Sequence, residues 1–146
     1  MRGFFLVLEG PEGAGKSTLA AALAARARDT AANVVAVREP GGTTVAEAAR
    51  AIVLGHSHAA GPEAELLLML AARADLVRKV IRPALASGAL VIADRFDLST
   101  RAYQVAGRGL PADLVAAANG IATGGLEPDL TLVLDLPPEA GRARQA

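Results

Sequence analysis

The chain has 146 residues, 52% of them apolar, with 15 basic and 15 acidic side chains that leave a formal charge of zero. That length suits one domain, and the lack of a basic block argues against a nucleic-acid partner. No cysteine excludes disulfides and thiolate chemistry, and the apolar run nearest the N-terminus is too short to cross a bilayer and lacks a signal-peptide layout, so a cytoplasmic protein with no membrane partner is expected.

Residues 4–8 are apolar at every position, the pattern of a buried parallel strand covered on both faces. Gly10-Pro11-Glu12-Gly13-Ala14-Gly15-Lys16-Ser17 follows and fits G-x-x-x-x-G-K-[ST] at each fixed position. An alanine-rich helix is expected over 17–28, then a second buried strand over 33–37. Arg38-Glu39-Pro40-Gly41-Gly42-Thr43 must be a loop, since proline and two glycines punctuate it. A helix over 44–54 would put Val45, Ala48, Ala49, Ile52 and Val53 on one side. In the loop over 55–61, His56 and His58 alone are too few to make a metal site. A long helix is expected over 62–80, with Pro62 in its first turn and Leu66, Leu67, Leu70, Ala74, Val77 and Ile81 as its apolar set. A turn over 83–86 ends at Ser87-Gly88. Leu90 to Ala93 is a third strand, with Asp94-Arg95 at its C-terminal end. Helices near 99–106 and 111–122 and a fourth strand over 130–136 follow, and Pro137-Pro138-Glu139 opens a last helix. This alternation implies an α/β fold, a three-layer parallel sheet with helices on both sides. Four strands make a small sheet, so the expectation is a single domain over 1–146 that a longer polypeptide would continue.

In open parallel sheets ligands bind beyond the C-terminal ends of the strands. Four such ends carry charge here: the glycine loop, Arg38-Glu39, Asp94-Arg95 and Asp135. In the glycine loop, successive backbone N–H groups and the new helix's positive end form a phosphate cradle, Lys16 reaches the outer phosphates and the Ser17 hydroxyl can ligate Mg²⁺. Asp94 can hold a water of that ion or cap the next helix. Arg95 offers a forked donor for phosphate, or a salt bridge to Asp94 or Asp97. Glu12 can contact the ion's waters or a second substrate, or lie solvated in the loop. Arg73, in an apolar stretch, faces a ligand or snorkels to solvent.

Five blocks resemble the thymidylate kinase family: Glu9 through Thr18, Arg38-Glu39-Pro40-Gly41-Gly42-Thr43, Ala71-Ala72-Arg73, Asp94 through Gln104, and Pro128 through Asp135, in the family's order. The resemblance implies a P-loop NTPase of the nucleoside monophosphate kinase type. Its activity would be transfer of phosphate from MgATP to dTMP, giving dTDP for dTTP synthesis, and its usual state a homodimer built through long helices. It implies that Gly10 through Thr18 bind ATP, with Lys16 stabilising the transferring phosphoryl group and Ser17 and Asp94 (through water) holding Mg²⁺. Arg95 would hold the dTMP phosphate and Glu12 would lie near the dTMP sugar and phosphoryl region. Glu39, Pro40 and Arg50 would line the dTMP pocket, Arg73, Thr100 and Gln104 would read thymine, and Tyr103 would pack on the deoxyribose.

Two positions depart from the family pattern. Met69 stands where family members commonly stack a phenylalanine on thymine, and sulfur can replace part of that contact. Gly13 stands where eukaryotic-type members carry a loop arginine. The bacterial type supplies arginine from a mobile lid, expected just beyond Ala146, so the 146-residue piece alone is expected to be nearly inactive. Two other functions compete: a different nucleoside or nucleotide kinase on this scaffold, and a nucleotide-binding module without catalysis.

Overall fold

The computed structural model describes residues 2–30, 32–55 and 60–144, which excludes His56 and His58. They form two compact units: residues 1–37, 84–96 and 128–146 make one, residues 38–83 and 97–127 the other.

The first unit is built on strands β1 (Phe4–Glu9), β2 (Val34–Arg38), β3 (Leu90–Asp94) and β4 (Leu130–Val133), ordered β2-β3-β1-β4. β1 runs parallel to β3, with Phe5 opposite Val91 and Val7 opposite Ala93, and parallel to β4, with Val7 opposite Thr131. The all-apolar run of β1 is explained by burial of both its faces. On one face Leu6, Leu8 and Ile92 pack against Ala20 and Ala24 of helix α1 (Lys16–Asp29), whose small side chains let the helix approach closely. On the other face Phe5, Val7, Val91 and Ala93 are fully buried, and the Phe5 ring meets Phe96 edge-on at 5.1 Å. Helix α7 (Pro138–Ala143) closes this unit.

The second strand, expected to be buried over 33–37, is an edge strand with no fully buried residue, and the fourth, expected to reach residue 136, ends at Val133 with Leu130, Leu132 and Val133 exposed. β4 is an edge strand. Apolar composition reports what could be buried, not how many neighbours a strand has.

The second unit is helical. Thr43 caps helix α2 (Thr44–Leu54) by accepting from the Ala46 N–H at 3.1 Å. Its buried face is Ala46 and Ala49 against Ala72, whereas Val45 and Ile52 are exposed; the larger residues lost the interior because the contact needs small ones. Helix α3 (Pro62–Leu76) buries Leu66 and Leu70 against Leu110, Val115 and Ala122, the last two from helix α6 (Ala112–Thr123), while Leu67 faces outward.

The helix expected to stop at residue 80 instead continues as a π-helical segment, Val77–Ile81, into helix α4 (Arg82–Ala86), where a turn was expected. Pro83 has no N–H to give Lys79 and its ring crowds that carbonyl, and the wider π turn accommodates it. A second π segment, Arg101–Gly107, extends helix α5 (Asp97–Thr100), two residues ahead of the expected start.

Candidate nucleotide site

The loop between β1 and α1 takes its shape from glycine. Gly10, Gly13 and Gly15 have φ of 141°, 74° and 92°, a region side chains rarely enter. Gly15 stands at the N-cap of α1, and no side chain caps the helix, so its first N–H groups remain directed outward with the positive end of the dipole. Lys16 Nζ donates to the carbonyl oxygens of Gly10 at 2.9 Å and Pro11 at 2.8 Å, folding its ammonium back over the loop. Burial lowers the Lys16 pKa, and the neighbouring Arg95 adds to this, against the opposing pull of Asp94 and Glu9. Pro11 and Ala14 are half-buried; Glu12 and Thr18 are exposed.

Ser17 Oγ donates to Asp94 Oδ2 at 2.5 Å across 77 residues of chain. The Asp94 carboxylate is therefore tied to the phosphate loop, which is not the helix-cap alternative. Its other oxygen, Oδ1, is buried and accepts no hydrogen bond. A hydroxyl beside a carboxylate with one unsatisfied oxygen is an oxygen donor set that fits a hard divalent cation. Among the described residues no group of three or more His, Cys, Asp or Glu could hold an ion alone, so water and phosphate oxygens would have to complete its shell.

Arg95 follows directly with φ 75°, the one non-glycine residue of positive φ among those described. Such a conformation costs about 1–3 kcal/mol and persists where surroundings over-determine it. Here they do. The Arg95 N–H donates to Leu8 O at 2.9 Å, the Phe96 N–H donates to buried Glu9 Oε1 at 2.9 Å, and the Phe96 ring is anchored on Phe5. The turn holds Arg95 half-buried at the C-terminal end of β3. Asp135 lies exposed two residues past the end of β4.

In the second unit Arg73 is buried, which removes the snorkelling alternative. Its Nε donates to Glu39 Oε2 at 2.8 Å, and its Nη1 donates to Thr100 Oγ1 at 2.8 Å and Asn119 Oδ1 at 2.6 Å. Gln104 is buried; its Nε2 donates to Glu65 Oε1 at 3.0 Å, while its Oε1 accepts nothing. Burial works to raise the Glu65 pKa, but hydrogen bonds from Arg108 and Gln104 and the Arg108 charge outweigh it, and the net shift is downward. Arg50 Nη1 donates to Pro40 O at 2.8 Å. Met69 is half-buried and Tyr103 exposed.

The structure thus brings Arg73, Glu39 and Thr100 together, and Lys16, Ser17 and Asp94 together. Sequence reasoning gave no role to Glu9, Glu65, Arg108 or Asn119. Asn119 was the one with a signal: it shares the helical spacing of Val115, Ala118 and Ala122, which puts an amide on the buried side of α6.

A sequence model of the family described as thymidylate kinase matches residues 8–146. The thymidylate kinases of Pseudomonas entomophila (strain L48) and Pseudomonas putida (strain GB-1) are each 54% identical to this chain over 147 aligned positions, spanning all of it and 70% of their own length. The crystal structure of thymidylate kinase from Ehrlichia chaffeensis superposes with a TM-score of 0.87 at 34% identity, covering 99% of this chain and 78% of that one. With the phosphate loop, the Ser17–Asp94 bond and the buried Arg73 cluster in place, the chain belongs to the thymidylate kinase family.

Proposed function

We infer that the protein transfers the terminal phosphoryl group of ATP to dTMP, giving dTDP, and that residues 1–146 act as a P-loop kinase domain. Gly10 through Thr18 cradle the donor's phosphates, and Lys16 leaves its carbonyl partners to follow the charge of the moving group. Ser17 and Asp94, the latter through water, would hold a Mg²⁺ ion, which would supply positive charge to neutralise the phosphates. Arg95 orients the acceptor's phosphate with a forked pair of donors. Glu12 lies near the acceptor's sugar and phosphoryl region. Glu39, Pro40 and Arg50 line the acceptor pocket, Arg73, Thr100 and Gln104 read the base, Met69 takes the stacking position against it, and Tyr103 lies on the sugar. A phosphate monoester oxygen is already a nucleophile, so no general base is needed, and catalysis is positioning plus charge stabilisation.

The single observation that carries this reading is the bond from Ser17 Oγ to Asp94 Oδ2, which joins the phosphate loop to the end of the neighbouring strand. We extend the reading to a homodimer in the cytoplasm. Leu67 of α3 is 64% exposed, and an apolar side chain presented by that long helix would suit a partner copy. Sedimentation velocity would test the dimer. No described helix is long and apolar enough to cross a membrane.

The reaction is tested by incubating the full-length protein with MgATP and either dTMP or thymidine and separating the nucleotides by chromatography. dTDP should form from dTMP and not from thymidine phosphorylation, and Lys16→Ala should abolish it. ATP consumption without dTDP, or a preference for thymidine, would overturn the assignment.

A further inference from the structure

Helix α7 lies directly on the phosphate loop, backbone against backbone. A Cβ built on Gly141 would stand 2.2 Å from the carbonyl oxygen of Glu12, and one built on Gly13 would stand 2.1 Å from the carbonyl oxygen of Gly141. Neither position has room for a methyl group, and the obstruction is main chain on both sides, which cannot swing away as a side chain can. Arg144 Nη1 adds a contact at 3.4 Å to Gly13 O. Helix propensity alone favours alanine over glycine inside a helix, so α7 carries a locally unfavourable residue at its point of approach. Gly15, by contrast, has nothing within 4 Å of its would-be Cβ, so the side of the loop nearer α1 is open.

We propose that Gly141 is a positioning residue for nucleotide binding: by admitting α7 to the outer side of the loop, it sets where the Glu12 and Gly13 peptides lie, and so where their N–H groups present themselves to the donor's phosphates. Gly141 touches no substrate. This rests on the reading of the loop as the ATP site. A displacement of about 1 Å in a positioning element costs on the order of 10²-fold in rate.

The test is MgATP and dTMP affinity of the full-length protein by calorimetry, for wild type, Gly141→Ala, Gly141→Val and Gly120→Ala. Gly120 is a helical glycine with open space around its Cβ and serves as the control for glycine replacement as such. Gly141→Ala should weaken MgATP about tenfold, and Gly141→Val more, with dTMP affinity within about twofold and the KM for ATP rising more than kcat falls. Retained dTMP binding certifies that a variant is folded. Equal MgATP affinity in Gly141→Ala and wild type would overturn the proposal, as would parallel losses of MgATP and dTMP affinity in both Gly141 variants, which mark a purely structural role. Wild type that fails to bind MgATP would instead overturn the function on which the proposal rests.

Discussion

Arg73 Nε meets Glu39 Oε2 at 2.8 Å in a setting where the two side chains are 1% and 4% exposed. Removing one partner of a buried pair leaves an uncompensated charge and costs about 3–5 kcal/mol. Glu39→Ala and Arg73→Ala should each lower unfolding stability by about that amount in urea titrations. The Glu39→Leu, Arg73→Met double variant should recover part of the loss, since packed apolar replacements of such pairs are often neutral. Additive losses would show that the two residues do not act as a pair.

Asp94→Asn keeps the shape of the Ser17 contact and removes the charge. An outer partner of a bound metal typically contributes about 10–100-fold in metal affinity. The midpoint for Mg²⁺ activation should therefore rise by about 10–100-fold, with ATP-free stability little changed. An unchanged Mg²⁺ midpoint would remove Asp94 from the ion's surroundings.

Much of this arrangement was legible in the chain itself. The glycine loop, β1, β3 and the Asp94-Arg95 turn follow from all-apolar runs ended by charge, because short-range pattern dictates them. The exposed edge of β4 was not legible: Leu130, Leu132 and Val133 read like buried-strand residues, and only topology says that nothing lies beyond them among the described residues. The buried face of α2 was legible only in part, through Ala49, for a related reason. Hydropathy ranks Val45 and Ile52 above Ala46 and Ala49, but close helix contact selects for size. Arg73 was recognisable as an anomaly, while its partners, Glu39 and Asn119, lie 34 and 46 residues away in sequence.

The lowered pKa of Lys16, caused by burial and then by Arg95, has a consequence for binding. Only the ammonium form attracts phosphate, and that form is lost as pH rises through the lowered value. MgATP affinity should begin to fall below the ordinary lysine value of about 10.4. Calorimetry across alkaline pH checks this, and an affinity flat up to that value would contradict it.

Glu47 has a lowered pKa because its carboxylate accepts the Gly42 N–H, at 2.9 Å, with Arg38 contributing as well. A carboxyl depressed in the folded state stabilises the protein fully above its unfolded value of about 4.3, and loses that contribution as pH falls through the folded value. Glu47→Gln should therefore be less stable than wild type at neutral pH, with the difference shrinking below about pH 4. Melting temperatures of both proteins across that range check it; a gap that widens on acidification would reverse the sign.

The most direct measurement of the central claim is a crystal structure with ADP and dTMP bound. The β-phosphate of ADP should lie against the backbone N–H groups between Gly10 and Ser17, and the dTMP phosphate within hydrogen-bond distance of the Arg95 guanidinium. dTMP bound away from Arg95, or ADP away from the glycine loop, would contradict that claim.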